Sequence, residues 1–147
     1  GYWSRGLGDV YKRQAERDTL SAPLDKIQII KGWTENGNIN EEVYDVICSD
    51  DREINNRNNK CKETKASVNF ENCSFDENYG SDRLEVIWTD TEYTPDQNTF
   101  YYARAIENPT CRWSTYDSIR IDEKPAKNYP KITREMAWSS PIWVKNN

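Results

Sequence analysis

Residues 49–66, "SDDREINNRNNKCKETKA", are the stretch that most limits what this chain can become. They are charged and asparagine-rich, with Ile54 and Ala66 as their only apolar members, and they read as a solvated loop. A structureless loop of that length inside a compact domain needs a tether. Cysteines stand at 48, 61, 73 and 111, so one sits just before the loop and another within it. Four cysteines permit three pairings. Joining Cys48 to Cys61 would close the loop at its two ends, worth about 3 kcal/mol if unstrained. Joining Cys73 to Cys111 would then pin the segment after "TFYYARAIE" to the short "VNFENC" run. Two staples imply an oxidising compartment; the alternative is four buried free thiols in a cytosolic protein. None of the spacings is the CxxC of a zinc ribbon or a thioredoxin-like site.

Around the loop, the sequence alternates in the manner of strands. "DKIQIIKGW" (25–33) places Ile27, Ile29, Lys31 and Trp33 on one side, and Asn36-Gly37 is a hairpin turn signal leading to "EVYDVIC" (42–48). "SVNFENCSF" (67–75) is a short strand candidate. "RLEVIWTD" (83–90) puts Leu84, Val86 and Trp88 on one face, and "TFYYARAIE" (99–107) alternates Phe100, Tyr102, Arg104 and Ile106 against Tyr101, Ala103 and Ala105, as a central strand would. "STYDSIRI" has the Ser-x-x-Asp form of a helix cap and predicts one or two helical turns. Trp138 to Val144 reads as a final strand with Pro141 at an edge or bulge. Six short strands with turn signals between them predict a mostly β fold, an antiparallel Ig-like β-sandwich with one or two short helical turns. Only 35% of residues are hydrophobic and mean hydropathy is −1.03, so six Trp and nine Tyr must build much of the core.

The opening "GYWSRGLGDVYKRQ" fits no period that follows it. It resembles the translated adapter peptide found at the ends of truncated reading frames. Residues 1–14 are accordingly expected to be a disordered, non-native leader, and residues 15–147 one β-sandwich domain, the C-terminal fragment of a larger protein.

Histidine is absent from all 147 residues, which removes the Ser-His-Asp triad, the Cys-His pair and the HExxH zinc site. A lone catalytic cysteine would have no base, and no catalytic or metal-ligating residues are assigned. A net charge of −5 offers no basic footprint for nucleic acid, and no apolar stretch is long enough to span a bilayer. "DENYGSD" (76–82) lacks the glycine and distal glutamate of a calcium loop and reads as a solvated turn. Trp33, Trp88, Trp113, Trp138 and Trp143 are expected mainly in the core, with an exposed stacking platform for sugar as the other option. Arg104, Glu107, Arg112, Asp117 and Glu135 are candidates for structural polar pairing, with Glu107, Glu135 or Asp117 as the carboxylate for Arg104. Trp113 is read as core packing ahead of the helix.

Taken together, "SAPLDKIQIIKGW", "VYDVICSD", "VIWTDTEYTPDQNTFYYARAIENPTCRWSTYDSIR" and "REMAWSSPIWV" resemble the C-terminal part of the bacterial domain-of-unknown-function family 3604, related to PHP-like metal-dependent phosphoesterases. In that family, the resemblance implies, these segments follow an N-terminal metal-binding hydrolase region with His, Asp and Glu ligands. Members are commonly exported, which implies a periplasmic or extracellular setting, and the cysteines match those of cysteine-bearing members. No metal ligand of the family maps onto this chain. The expectation is a non-catalytic β lobe with no cofactor of its own, partnered by an N-terminal catalytic domain that holds a divalent metal. The alternative is a secreted, disulfide-stapled carbohydrate- or ligand-binding module.

Overall fold

A computed structural model describes residues 10–145. The chain opens with β1 (Val10–Glu16), β2 (Leu24–Glu35) and β3 (Asn38–Cys48). Four two-residue strands follow: β4 (Ile54–Asn55), β5 (Lys60–Cys61), β6 (Val68–Asn69) and β7 (Ser74–Phe75). Then come β8 (Arg83–Thr89), β9 (Thr99–Glu107), β10 (Thr110–Cys111), helix α1 (Trp113–Arg120), β11 (Ile132–Thr133), β12 (Met136–Trp138) and β13 (Ile142–Val144).

The longest hairpin forms where the turn signal sits. Asn36 and Gly37 both take positive φ (50° and 78°), the backbone of a tight two-residue turn whose twist suits the flanking strands. Around it, β2 and β3 pair antiparallel from Glu35–Asn38 back to Lys26–Cys48, with a register shift between Ile27 and Gln28. Tyr101 and its β9 neighbours pair antiparallel with the other edge of β2, and β12 and β13 both pair with the far edge of β9. The central sheet therefore runs β12/β13–β9–β2–β3, with β9 internal as its pattern predicts.

Against one face of this sheet lies the β1–β8 ribbon, antiparallel throughout. Tyr11 and Leu84 from the ribbon meet Leu24, Ile27, Ile29, Val46 and Tyr101 from the sheet, and Val86, Trp88 and Ala15 pack against this cluster. Strand alternation accounts for it: Leu84, Val86 and Trp88 share one face of β8, leaving Ile87 exposed. The core is aromatic, with Tyr101 ringed by Tyr11 (4.7 Å between centroids) and Trp88 (6.2 Å). The fold is mostly β and antiparallel, as its sequence predicts.

Four elements differ from the sequence reading. Residues 10–14 are not outside the fold: they form most of β1, and Tyr11 is a core residue. The rest of the expected leader, residues 1–9, lies outside the described residues. Residues 67–75 form a miniature hairpin, β6 with β7, instead of one strand. Helix α1 begins one residue before Ser114, with Arg112 at its cap position and no side-chain cap, so the Ser-x-x-Asp signal does not set its start. The final strand is split: β12 and β13 flank Pro141, which cannot donate to the ladder. At the break, the Ser139 hydroxyl accepts from the Ala103 N–H at 2.9 Å and takes over one rung.

Candidate functional site: the open face of the central sheet

The β1–β8 ribbon covers one face of the central sheet. On the opposite face β9 presents Phe100, Tyr102 and Arg104, because the alternation that sends Tyr101 and Ala103 into the core sends these outward. Register extends the surface: Trp143 stands opposite Phe100, and Trp138 opposite Arg104. The Phe100 and Tyr102 rings are nearly parallel, 6.4 Å apart with 5° between planes, and Trp143 leans on Phe100 at 5.0 Å. Trp138 and Trp143 are 60% and 64% exposed, and Met136 is also exposed. Beneath Phe100, β2 supplies Gly32, where a Cβ would lie 2.3 Å from the ring, so the absence of a side chain lets the ring lie flat on the sheet.

Beside the rings runs a polar relay. Arg104 donates from Nε (2.8 Å) and Nη2 (2.5 Å) to the Gln28 side-chain oxygen, and Gln28 Nε2 donates to Asp45 at 2.6 Å. Asp45 is buried, and it also accepts from Lys26 Nζ and from the backbone N–H of Cys61, both at 2.8 Å. Burial pushes the Asp45 carboxyl up, but the hydrogen bonds from Lys26, Cys61 and Gln28 outweigh it and hold the group below its ordinary value. The chain thus fixes a guanidinium among aromatic rings through a neutral amide and a buried carboxylate.

The pairing of Arg104 corrects the sequence expectation. Its partner is Gln28 on the neighbouring strand, not Glu107, Glu135 or Asp117. Glu107 accepts from the Ser21 hydroxyl at 2.6 Å, and Asp117 pairs with Arg120 at 3.3 Å on the surface. Glu135 is exposed, and Arg112 stacks over Trp113 and Tyr129 at 5.5 and 5.1 Å. Trp113 is 67% exposed and does not pack in the core. Of the five tryptophans in question, Trp88 joins the core cluster and Trp33 is half-buried, whereas Trp113, Trp138 and Trp143 face outward.

The cysteines pair as Cys48–Cys61 and Cys73–Cys111, with Cα separations of 6.0 and 5.6 Å. The first closes the asparagine-rich loop, within which β4 and β5 form a short hairpin against the edge of β3. Arg52 adds a tether that the sequence did not signal: it reaches the Asp25 carboxylate, the Lys62 carbonyl (2.7 Å) and the Ser49 carbonyl (2.9 Å). Asp25 is buried and takes a second cation, Arg134, at 3.0 Å. A further buried pair was equally hidden. Lys31 meets Asp90 at 2.6 Å, and Tyr101 donates its hydroxyl to the same carboxylate at 2.5 Å. Asn108 is a buried brace: its N–H donates to Pro23 O and its amide to Tyr79 O.

Among the described residues, no group of three or more His, Cys, Asp or Glu side chains is arranged to hold a metal ion. No helix among them is long and apolar enough to cross a membrane. The family model for the proteins of unknown function designated DUF3604 matches residues 10–146. The chain belongs to DUF3604. Membership covers β1 to β13, including residues 10–14, so the DUF3604 region takes in both sheets, both disulfides and the open aromatic face. No curated protein and no solved structure matches this DUF3604 chain.

Proposed function

We propose that this DUF3604 chain is the non-catalytic C-terminal β lobe of a larger exported hydrolase, a relative of the PHP-like metal-dependent phosphoesterases. Its open sheet face packs on the catalytic domain that precedes it. The observation that carries the reading is the cluster of Trp138, Trp143, Phe100, Tyr102 and Arg104 on the face opposite the core. Tryptophan, tyrosine, phenylalanine, methionine and arginine are the residues enriched where proteins bury surface against one another, and contiguous exposed apolar patches mark such contacts. Two disulfides are consistent with an oxidising periplasmic or extracellular setting. In this reading the divalent metal belongs to the catalytic domain; the described residues offer no set to hold it, and no chemical step is assigned to them. The test is turnover: the chain supplied with Mn2+ or Zn2+ should hydrolyse phosphomonoester and carboxylester substrates no faster than a blank. Clear metal-dependent turnover would contradict the proposal.

A second reading, a secreted carbohydrate-binding module, is favoured by the near-parallel Phe100 and Tyr102 rings beside Trp143, since flat aromatic surfaces stack on sugar faces. Retention of the chain on insoluble polysaccharide, abolished by Trp143→Ala, would favour it over the lobe.

A further inference from the structure

A second surface is built around Arg112. The Cys73–Cys111 bridge ties β7 to β10, and α1 starts two residues beyond Cys111. These elements, with β11 and the turn at residues 20–21, border an open cavity of about 410 Å3 whose lining includes Phe75, Arg112, Trp113, Tyr116, Thr133 and Glu135. Its walls are held by groups that do not need a ligand. The Arg112 N–H donates to Lys131 O at 2.9 Å, β10 pairs with β11, and Tyr116 donates to Cys73 O at 3.5 Å.

The Arg112 side chain is the feature the fold leaves unexplained. It is partly buried and forms no ion pair among the described residues. Its Nη1 is shut away from water without an acceptor, a costly arrangement for a charged donor. The Trp113 and Tyr129 rings fix its plane. By contrast, Arg17 has Glu77 and Asp82, Arg52 and Arg134 share Asp25, and Arg104 has Gln28; Arg13 also has a closed-off Nε without an acceptor, but its Nη1 donates to Lys12 O at 3.1 Å.

We infer that this cavity binds a carboxylate-bearing sugar ring, a hexuronate unit, with Arg112 as its carboxylate receptor. A planar guanidinium matches a carboxylate in two-point geometry, and the pair of nitrogens left for it is Nε and Nη2, because Nη1 is closed to solvent. Exposed Trp113 and half-exposed Tyr116 offer the flat faces on which the C–H side of a pyranose rests. Thr133 and Glu135 provide a hydroxyl and a carboxylate suited to sugar hydroxyls. The same Glu135 disfavours a sulfate dianion, which has no hydroxyl to offer it. The site needs no metal and no second domain, and it stands whether or not the chain is the lobe of a hydrolase.

Calorimetric titration of the chain with galacturonic acid and with tri-galacturonic acid tests the assignment, each source separating the free acid from a chain terminus. Saturable binding of either is expected, with galactose bound at least about tenfold more weakly because it lacks the charged contact. Arg112→Lys keeps the charge but loses the fork and should weaken uronate binding by about tenfold. Should that variant fail to fold, Trp113→Ala alters an exposed side chain and serves instead, again with weakening expected. Absence of uronate binding, equal binding of galactose, displacement by inorganic sulfate at equal concentration, or unchanged affinity in a folded variant would each overturn the inference.

Discussion

Lys31 is an unusual tenant of the space between two sheets. It sits on the core face of β2, 3% exposed, where hydrophobic alternation would place an aliphatic, and its ammonium is met by Asp90, itself 2% exposed. Tyr101 and the Glu92 N–H complete the carboxylate's shell. Breaking one side of such a pair leaves a buried charge, so Asp90→Ala should cost about 3–5 kcal/mol in urea unfolding, while Lys31→Met with Asp90→Leu should cost much less. Asp45 makes a pH prediction. Its folded carboxyl titrates below its ordinary value, so its contribution is fully present above that ordinary value and is lost as pH falls through the lower folded one. Unfolding free energy measured against pH should drop on that acid limb, and Asp45→Asn, less stable at neutral pH, should flatten it. Gly32→Ala should dislodge the Phe100 ring from its stack and cost about 1–3 kcal/mol, read together with a change in near-ultraviolet circular dichroism. The sequence marks Arg104 as a residue in need of a partner but does not say which partner it takes. Lys31 and Arg104 interrupt otherwise apolar faces, but the partners of Lys31, Asp45 and Arg104 lie on other elements, so only the fold reveals the pairs.

At the scale of elements, the sequence was most legible where local chemistry dictates geometry. Asn36-Gly37 can take the positive φ a tight turn demands, and the β-branched and aromatic alternation of β8 and β9 leaves one choice of buried face. Legibility failed where tertiary contacts override local signals. Ser114 looks like a cap, yet Arg112 occupies that place because its backbone is held by Lys131. Strand β1 reads as featureless until Leu84 and Tyr101 are supplied as neighbours for Tyr11. The disulfides carry an element-scale prediction. Chain entropy assigns about 3 kcal/mol to Cys48–Cys61 and about 4 kcal/mol to Cys73–Cys111, from separations of 13 and 38 residues. Cys48→Ala with Cys61→Ala should nevertheless reach or exceed its companion in cost, because it also frees the Cys61 N–H from buried Asp45. Paired denaturation curves of the two double variants check the order.

For the whole molecule, the decisive feature is asymmetry between the two faces of the central sheet. One is closed by the β1–β8 ribbon over a tyrosine-rich core; the other shows rings, a fixed guanidinium and two tryptophans to solvent. Sequence alternation divided β9 into two faces but did not say which apolar face would remain uncovered, because that depends on how many strands the opposing sheet has. The central proposal is that the chain is part of a longer protein whose catalytic domain covers this face. Oxidative footprinting of tryptophans, read by peptide mass spectrometry, tests it most directly. Trp138 and Trp143 should react readily in the isolated chain and be protected several-fold in the full-length protein, while Trp113, on another surface, reacts alike in both. Equal reactivity of Trp138 and Trp143 in the two proteins would contradict the account.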